Sequence, residues 1–199
     1  MTTDRRELLL KIFPACALMC AGCGGASAAQ KSAQASPRKH KFAEKSEMTY
    51  EQIYEFAYGG FIPLMKNLAE ELGKDKFDAL LRRASSKASA QETKQRAAKL
   101  PQRDLAALLA PLRSRDPLWA HVLTWEMVEE TEKVAAIKVT ECLWAKTFRE
   151  AGAADIGYAA VCHPDFAAAP AFNPQMKMLR TKTLMQGHDC CNHRWTLET

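Results

Sequence analysis

The sequence predicts an α+β fold, in which a helical N-terminal half is followed by a four-stranded antiparallel sheet made of two hairpins and covered by helices on one face. Three observations predict this class. Apolar residues recur at helical spacing in the first half of the folded part, and they alternate with polar residues from Trp119 and again from Met176. The chain has 199 residues and is 47% hydrophobic, which is enough to bury one core.

The helical half is expected to begin at Thr49. Thr49 followed by Gln52 is a capping-box pattern, and apolar residues then recur at helical spacing up to Gly73. Gly59-Gly60 and Pro63 predict a kink in this first helix. The other predicted helices of this half are, in order, one capped by Asp75, one over residues 85–100, and one over residues 103–112 that stops at Pro111.

The C-terminal half carries the strand patterns. Alternation from Trp119 to Met127, a turn sequence at residues 129–133 and a β-rich run from Val134 to Cys142 predict a hairpin. The remaining elements are, in order, a helix over residues 143–152, a short helix over residues 154–166 that Pro164 stops, a loop over residues 167–175, and a second hairpin over residues 176–197 with its turn near Gln186-Gly187.

Side chains alternate along a strand, so residues 188–198 divide into two faces. The polar face belongs in water and holds His188, Cys190, Asn192, Arg194, Thr196 and Glu198. The other face holds Asp189, Cys191, His193, Trp195 and Leu197. Exposing the two large apolar residues would cost roughly 2 kcal/mol each, so this second face should pack against the helices. Three reactive side chains are then expected at the rim of the core, while Cys190 is exposed.

Residues 1–28 are typical of an export signal. They have a charged start, an apolar stretch from Ile12 to about Gly22, and an A-x-A cleavage pattern at residues 26–28. The pair Arg5-Arg6 resembles a twin-arginine signal, whose export machinery passes folded proteins across a bacterial membrane. We therefore expect an exported, periplasmic protein. An alternative interpretation is a lipoprotein box, with a lipid on Cys23 anchoring the chain to the membrane.

Composition limits the other classes of partner. Residues 29–47 are polar and basic without an apolar period, which predicts a disordered linker before a single domain at residues 48–199. No other stretch approaches the roughly 20 apolar residues of a membrane span. The formal charge is +5, or +4 without residues 1–28, because those hold three basic and two acidic residues. That charge is too small to indicate nucleic-acid binding.

Four cysteines remain once the predicted signal is set aside. They are Cys142, Cys162, Cys190 and Cys191. An oxidising compartment would permit disulfides among them, for example between Cys162 and Cys191. A bridge between Cys190 and Cys191 is not expected, since neighbours in a strand point to opposite faces. Cys142 is expected to be a small core residue.

Two segments, ECLWAKTFREAGAADIGYAAVCHPDF and MLRTKTLMQGHDCCNHRW, resemble bacterial proteins of the L-2-amino-thiazoline-4-carboxylic acid hydrolase family. That family carries a Cys near the start of a helix, a later C-x-x-D, and a closing G-x-D-x-C followed by a polar residue, an aromatic, Arg and an aromatic. The matching positions are Cys142, Cys162 to Asp165, and Gly187 to Trp195, within a resemblance over about residues 49–198. The chain departs at His193, where the family has an aromatic residue.

The resemblance implies a hydrolase that opens or cleaves a small compound with a C–N or C–S bond, such as a thiazoline carboxylate. The amidine-like carbon between nitrogen and sulfur would be attacked, and the sulfur would leave as a thiolate. The roles implied by the family are a nucleophile at Cys162 or Cys191, carboxylates at Asp165 and Asp189, proton carriers at His163 and His193, and an anion clamp at Arg180 or Arg194. Arg180 is the better clamp, because Arg194 falls on the outer face of the predicted strand.

Two alternatives use the same residues. A divalent metal such as zinc would suit an open site, and its candidate ligands are Cys162, His163, Asp165, Asp189, Cys191 and His193. A protein that binds such a metal or a small ligand without catalysis is the first alternative to a hydrolase. A structural domain whose cysteines form disulfides is the second.

Overall fold

The computed structural model of the protein describes residues 47–114 and 117–198. The predicted export signal, with Arg5-Arg6 and Cys23, lies outside the described residues, and so does the predicted linker up to residue 46. No helix in the two described ranges is long and apolar enough to cross a membrane.

The N-terminal half is helical, as predicted. The capping box forms, since Thr49 N donates to Gln52 Oε1 at 2.9 Å and Gln52 N donates to Thr49 Oγ1 at 3.2 Å. The predicted kink is a full break at Gly60 that separates two helices. The helices of this half are α1 (Tyr50–Gly59), α2 (Phe61–Leu72), α3 (Lys74–Ala97) and α4 (Leu105–Arg113).

Three predicted boundaries in this half are wrong. The second and third predicted helices are one 24-residue helix, α3, and Gly73 with φ +80° precedes it, while Asp75 lies in its first turn. Few apolar residues recur at helical spacing after residue 84, so the sequence did not show that α3 continues there. A helix segment that is largely exposed can lack such a pattern. Pro111 does not stop α4 but lies inside it, near the end, where few helical hydrogen bonds remain to be lost.

The first hairpin forms, but it begins later than predicted. Residues from Trp119 to Val122 belong to a short helix, α5 (Pro117–Val122), because Pro117 occupies the first helical position, where proline is favoured. The strands are β1 (Leu123–Glu130) and β2 (Val134–Cys142).

The C-terminal part contains more helix than predicted. The predicted short helix is divided into α7 (Ala154–Gly157) and a π-helical turn (Tyr158–Cys162). Pro164 then precedes a helix, α8 (Asp165–Phe172), in place of the predicted loop. The alanine-rich sequence at residues 167–169 explains this helix, since alanine has the highest helix propensity. The other elements are α6 (Leu143–Glu150), β3 (Met176–Leu179), a 3-10 turn (Leu184–Gln186) and β4 (Cys191–Leu197).

The four strands form one antiparallel sheet in the order β1-β2-β4-β3, which confirms the predicted fold class. Ile137 of β2 lies opposite His193 of β4, and Val139 lies opposite Cys191. Helices α3, α4 and α8 pack against one face of this sheet. The other face is exposed and carries ion pairs such as Lys138 Nζ to Glu126 Oε1 at 3.1 Å.

Gly157 lies at a close contact in the core. A Cβ atom at this position would lie 2.6 Å from Met185 Sδ and 2.7 Å from Phe148 Cγ, both in buried side chains. We expect Gly157→Ala to lower the free energy of unfolding by about 1–3 kcal/mol, as overpacking does. Urea denaturation measures this. Gly60→Ala is the matched control, because nothing lies within 4 Å of the added Cβ, and a loss as large as that of Gly157→Ala would contradict the steric explanation.

Candidate functional site

A cavity of about 300 Å³ lies between helices α3, α4 and α8 and the covered face of the sheet. Its walls are mainly apolar, with leucines of α4 on one side and Ile137 and Val139 of β2 on the other. The side chains with reactive or polar groups that line it are Arg96, Cys142, Cys162, Asp165, Arg180, Cys191 and His193. Five of these were predicted site residues, so the cavity is the candidate functional site.

Three segments supply the site. Cys162 ends the π-helical turn, in which His163 N donates to Tyr158 O at 2.7 Å, and Asp165 begins α8 directly after it. Turns of this type often occur at functional sites. Arg180 directly follows β3. The pleat of β4 places Cys191 and His193 on the covered face, as predicted.

Arg180 connects these segments. Its side chain is 1% exposed, and Nη1 donates to Asp165 Oδ2 at 2.6 Å. Nη2 donates to the carbonyl oxygen of Cys162 at 2.7 Å, and the guanidinium lies 5.1 Å from the centre of the Phe166 ring. The charge of Arg180 is therefore balanced by Asp165. Its Nε atom is buried and has no hydrogen-bond partner among the described residues.

The same arginine contacts His193 and indicates the tautomer of its ring. Arg180 Nη1 lies 3.1 Å from His193 Nε2, and a guanidinium can only donate, so Nε2 accepts and the ring proton lies on Nδ1. Nδ1 is also buried without a partner in the described part of the chain. The ring stacks on Trp195 with centroids 5.5 Å apart. The cavity is thus lined by two residues that each have an unused N–H donor.

The thiols of the cavity are neutral at pH 7. Burial raises the pKa of Cys162 to about 12, although the charge of Arg180 opposes this, and burial raises the pKa of Cys142 to about 11. Burial also raises the pKa of Cys191, whose Sγ accepts a hydrogen bond from Leu184 N at 3.2 Å. A resting thiolate is therefore absent from these three positions.

The sequence model of the family described as L-2-amino-thiazoline-4-carboxylic acid hydrolase matches residues 50–195. The chain belongs to this family. A comparison with curated proteins found no match. The matched range includes every residue that lines the cavity, so the shared sequence of this hydrolase family covers the whole candidate site.

The predicted site residues of this family member are not all brought together. Asp189 lies in a bend before β4, its side chain is 71% exposed, and it pairs with Lys182, because the strand begins only at Cys191. His163 faces α3, where Nδ1 lies 3.1 Å from Ser86 Oγ. Arg194 is on the outer face, as expected, and pairs there with Glu129.

Cys190 was expected to be exposed, but it is 6% exposed and does not line the cavity. Because it lies in the folded connection before β4, strand alternation does not apply to it. All four cysteines in the described ranges are free thiols, so the structure contains no disulfide between Cys162 and Cys191.

The six candidate metal ligands do not form a metal site. Among the described residues, no group of three or more His, Cys, Asp or Glu side chains is arranged to hold a metal ion. The reason is that His163 and Asp189 point away from the cavity, and Asp165 and His193 both contact Arg180. The residues present therefore do not fit the zinc site considered from the sequence.

Arg96 is a site residue that the sequence analysis missed. It lies in the last turn of α3 and lines the cavity. Helical spacing could have indicated Arg96. Thr93, three residues before it, and Ala97, one residue after it, are both buried. The prediction of a separate helix over residues 85–100 obscured this position, because it did not connect Arg96 with the buried face of α3.

The raised thiol pKa values lead to a prediction about pH. In the folded protein, Cys142 and Cys162 should react slowly with iodoacetamide at pH 7–8, because the thiolate is the reactive species. Unfolded thiols ionise near their ordinary value of 9, before the folded ones, so the free energy of unfolding should fall as pH rises from 9 towards 11–12. Mass spectrometry of labelled peptides and urea denaturation measure the two effects. Rapid labelling of folded Cys162 at pH 7 would contradict the assignment.

Proposed function

We propose that this chain is a hydrolase that opens or cleaves a small compound with a C–N or C–S bond, such as a thiazoline carboxylate, in the cavity beside Asp165. The observation that carries the proposal is that Asp165, Arg180 and His193 form one hydrogen-bonded group on a small cavity that lies wholly within the family match. The cavity volume of about 300 Å³ is at the lower end for small-molecule sites, which suits a single five-membered ring.

Asp165 is the proposed general base. Its Oδ2 atom accepts from Arg180, which orients the carboxylate, while Oδ1 accepts no hydrogen bond from the described residues. Oδ1 can therefore take a proton from a water molecule placed at the amidine-like carbon of the substrate. The cavity thiols are neutral, so attack by water requires fewer proton transfers than attack by a thiolate.

His193 is the proposed hydrogen-bond donor to the substrate. Its Nδ1–H is buried and has no partner among the described residues, so a nitrogen of the substrate ring that reaches it on binding would accept from it. Donation to that nitrogen would polarise the adjacent carbon and stabilise the negative charge that develops during attack.

The proposed reaction opens the ring by addition of one water molecule across the C–S bond. The water oxygen bonds to the amidine-like carbon, the C–S bond breaks, and the bonding electron pair leaves on sulfur. The proton taken by Asp165 passes to the departing thiolate, and the second water proton moves from the new hydroxyl to the ring nitrogen. The product is an open-chain urea that carries a new thiol.

The test is release of that thiol by the purified protein. The chain is incubated with 2-aminothiazoline-4-carboxylate, the protein is removed by ultrafiltration, and thiol in the filtrate is measured. Cys162→Ser and Cys191→Ser should retain turnover if water attacks. Loss of turnover in one of them, together with a covalent adduct on that cysteine in the wild type, would replace the water route by a thiolate route.

Binding of the compound without thiol release would instead support the small-ligand-binding alternative. Calorimetry on the same sample separates the two outcomes, because it reports binding whether or not the ring opens. If the compound does not bind and no thiol is released, the proposed substrate class is rejected.

We also propose that the chain is exported to the periplasm by the twin-arginine route. Support comes from the sequence of residues 1–28, with Arg5-Arg6 before an apolar stretch and an A-x-A pattern. Cell fractionation of the full chain tests this. The double substitution Arg5→Lys and Arg6→Lys should shift the protein from the periplasm to the cytoplasm, and an unchanged distribution would reject this route.

A further inference from the structure

We infer that Arg96 binds the carboxylate of the substrate at the mouth of the cavity. The inference rests on the proposed function and adds to it a residue that selects acidic ring compounds. Arg96 lines the cavity and is exposed. It therefore marks one place where the cavity meets solvent, and the Asp165 side chain, which is 43% exposed, marks another.

Arg96 carries a positive charge that no acidic side chain in the described ranges balances, unlike Arg180 and Arg194. It forms no ion pair or side-chain hydrogen bond with the described residues. Arg180 is balanced by Asp165, and Arg194 is balanced by Glu129 on the opposite face of the sheet. The charged residues of the lining are thus two arginines and one aspartate, so the cavity has a net charge of +1.

A carboxylate is disfavoured in the inner part of the cavity. Any anion beside the Nη1 atom of Arg180 would also lie beside the carboxylate of Asp165, which is 2.6 Å from that nitrogen. Two carboxylates in close contact repel each other, so Asp165 keeps a second carboxylate away from Arg180. At the mouth, a carboxylate keeps part of its hydration and meets a guanidinium that can bind both oxygens.

The side chains that line the cavity also favour a ligand whose carboxylate lies at Arg96. The cavity is also lined by apolar residues of α4 and α8, including Leu108, Leu112 and Ala168. These suit the carbon and sulfur atoms of a ring. Asp165 Oδ2 lies 2.6 Å from Arg180 Nη1 and 3.8 Å from His193 Nε2, so this end of the cavity suits an uncharged group of the ring rather than a second anion. A ring with its acid at Arg96 and its amidine near Asp165 satisfies both ends.

A structural role for Arg96 makes a different prediction. A cation in the last turn of a helix interacts favourably with the helix dipole, and Arg96 occupies such a position in α3. That role would affect stability, and it would not depend on whether a ligand carries a carboxylate.

The experiment is calorimetric titration with two probes that differ by one group, 2-aminothiazoline-4-carboxylate and 2-aminothiazoline. The proteins are the wild type, Arg96→Gln, Arg96→Lys and, as a matched control, Arg83→Gln, because Arg83 is an exposed arginine on the same helix outside the cavity. We expect Arg96→Gln to weaken binding of the carboxylate probe by about 10–100-fold, the usual effect of a hydrogen bond to a charged group. Binding of the probe without the carboxylate should change less than about twofold, Arg96→Lys should retain part of the preference, and Arg83→Gln should match the wild type.

Three results would overturn the inference. The first is a wild-type protein without preference for the carboxylate probe, the second is a preference that survives Arg96→Gln, and the third is an equal loss of affinity for both probes in Arg96→Gln. Thiol release is measured separately on the same proteins. A preference that depends on Arg96 without thiol release would keep this inference and reject the hydrolase.

Discussion

Asp165→Asn is expected to lower the free energy of unfolding by about 3 kcal/mol and to abolish turnover. The loss of stability follows because Arg180, 1% exposed, keeps its charge in the interior without a counter-ion. Removing one partner of a buried pair costs roughly 3–5 kcal/mol, and the lower end applies because the Asp165 side chain is partly exposed. Urea denaturation measures the stability, and the thiol-release assay measures turnover.

A double variant separates the two effects. Adding Arg180→Met to Asp165→Asn removes the unbalanced charge and fills similar volume, so a large part of the lost stability should return. Turnover should not return, because the proposed base is still missing. Asp189→Asn is the matched control, since Asp189 pairs with Lys182 on the surface and should leave both the denaturation midpoint and turnover unchanged. Equal losses in Asp165→Asn and Asp189→Asn would contradict the role of the buried pair.

His193→Phe is expected to reduce kcat by about 100-fold while leaving the fold intact. The substitution keeps an aromatic ring that can stack on Trp195, but it removes the Nδ1–H donor proposed to bind the substrate. Loss of one positioned donor or proton-transfer group typically reduces rates by roughly 10²–10⁴-fold. Steady-state kinetics of thiol release measures the change, and circular dichroism verifies the fold.

The same variant tests a departure from the family pattern. In the resemblance described above, an aromatic residue usually occupies this position. Turnover within a fewfold of the wild type in His193→Phe would show that the imidazole is dispensable, and Asp165 and Arg180 would then be the remaining polar groups of the proposed reaction.

The fold class could be predicted because it rests on local periodicity. The capping box at Thr49 and the alternation in β4 are short-range patterns, and both are confirmed. The helix α8 was not predicted, since Pro164 was expected to stop the preceding helix and residues 167–175, which include Pro170, were expected to form a loop. The first precedes the helix and the second lies inside it, so neither prevents an alanine-rich segment from folding as a helix.

The site was predictable only in part. Strand alternation placed Cys191 and His193 on the covered face, but it also placed Asp189 there, because the bend before β4 leaves no signal in an alternating pattern. The contact of Arg180 with Asp165 depends on how closely β3 packs beside α8. A single sequence does not show the packing distance between two such elements. Arg96 was overlooked for a similar reason, since its position at the cavity depends on the packing of α3.

Burial of the cavity sulfur atoms also determines how the protein withstands oxidants. Disulfide exchange and peroxide oxidation begin at the thiolate, and the folded chain withholds that form at Cys142, Cys162 and Cys191. Reduced cysteines can therefore persist for as long as the chain stays folded, even where the surroundings favour disulfides. Unfolding exposes these three thiols, so the time for which they stay reduced depends on how often the chain unfolds.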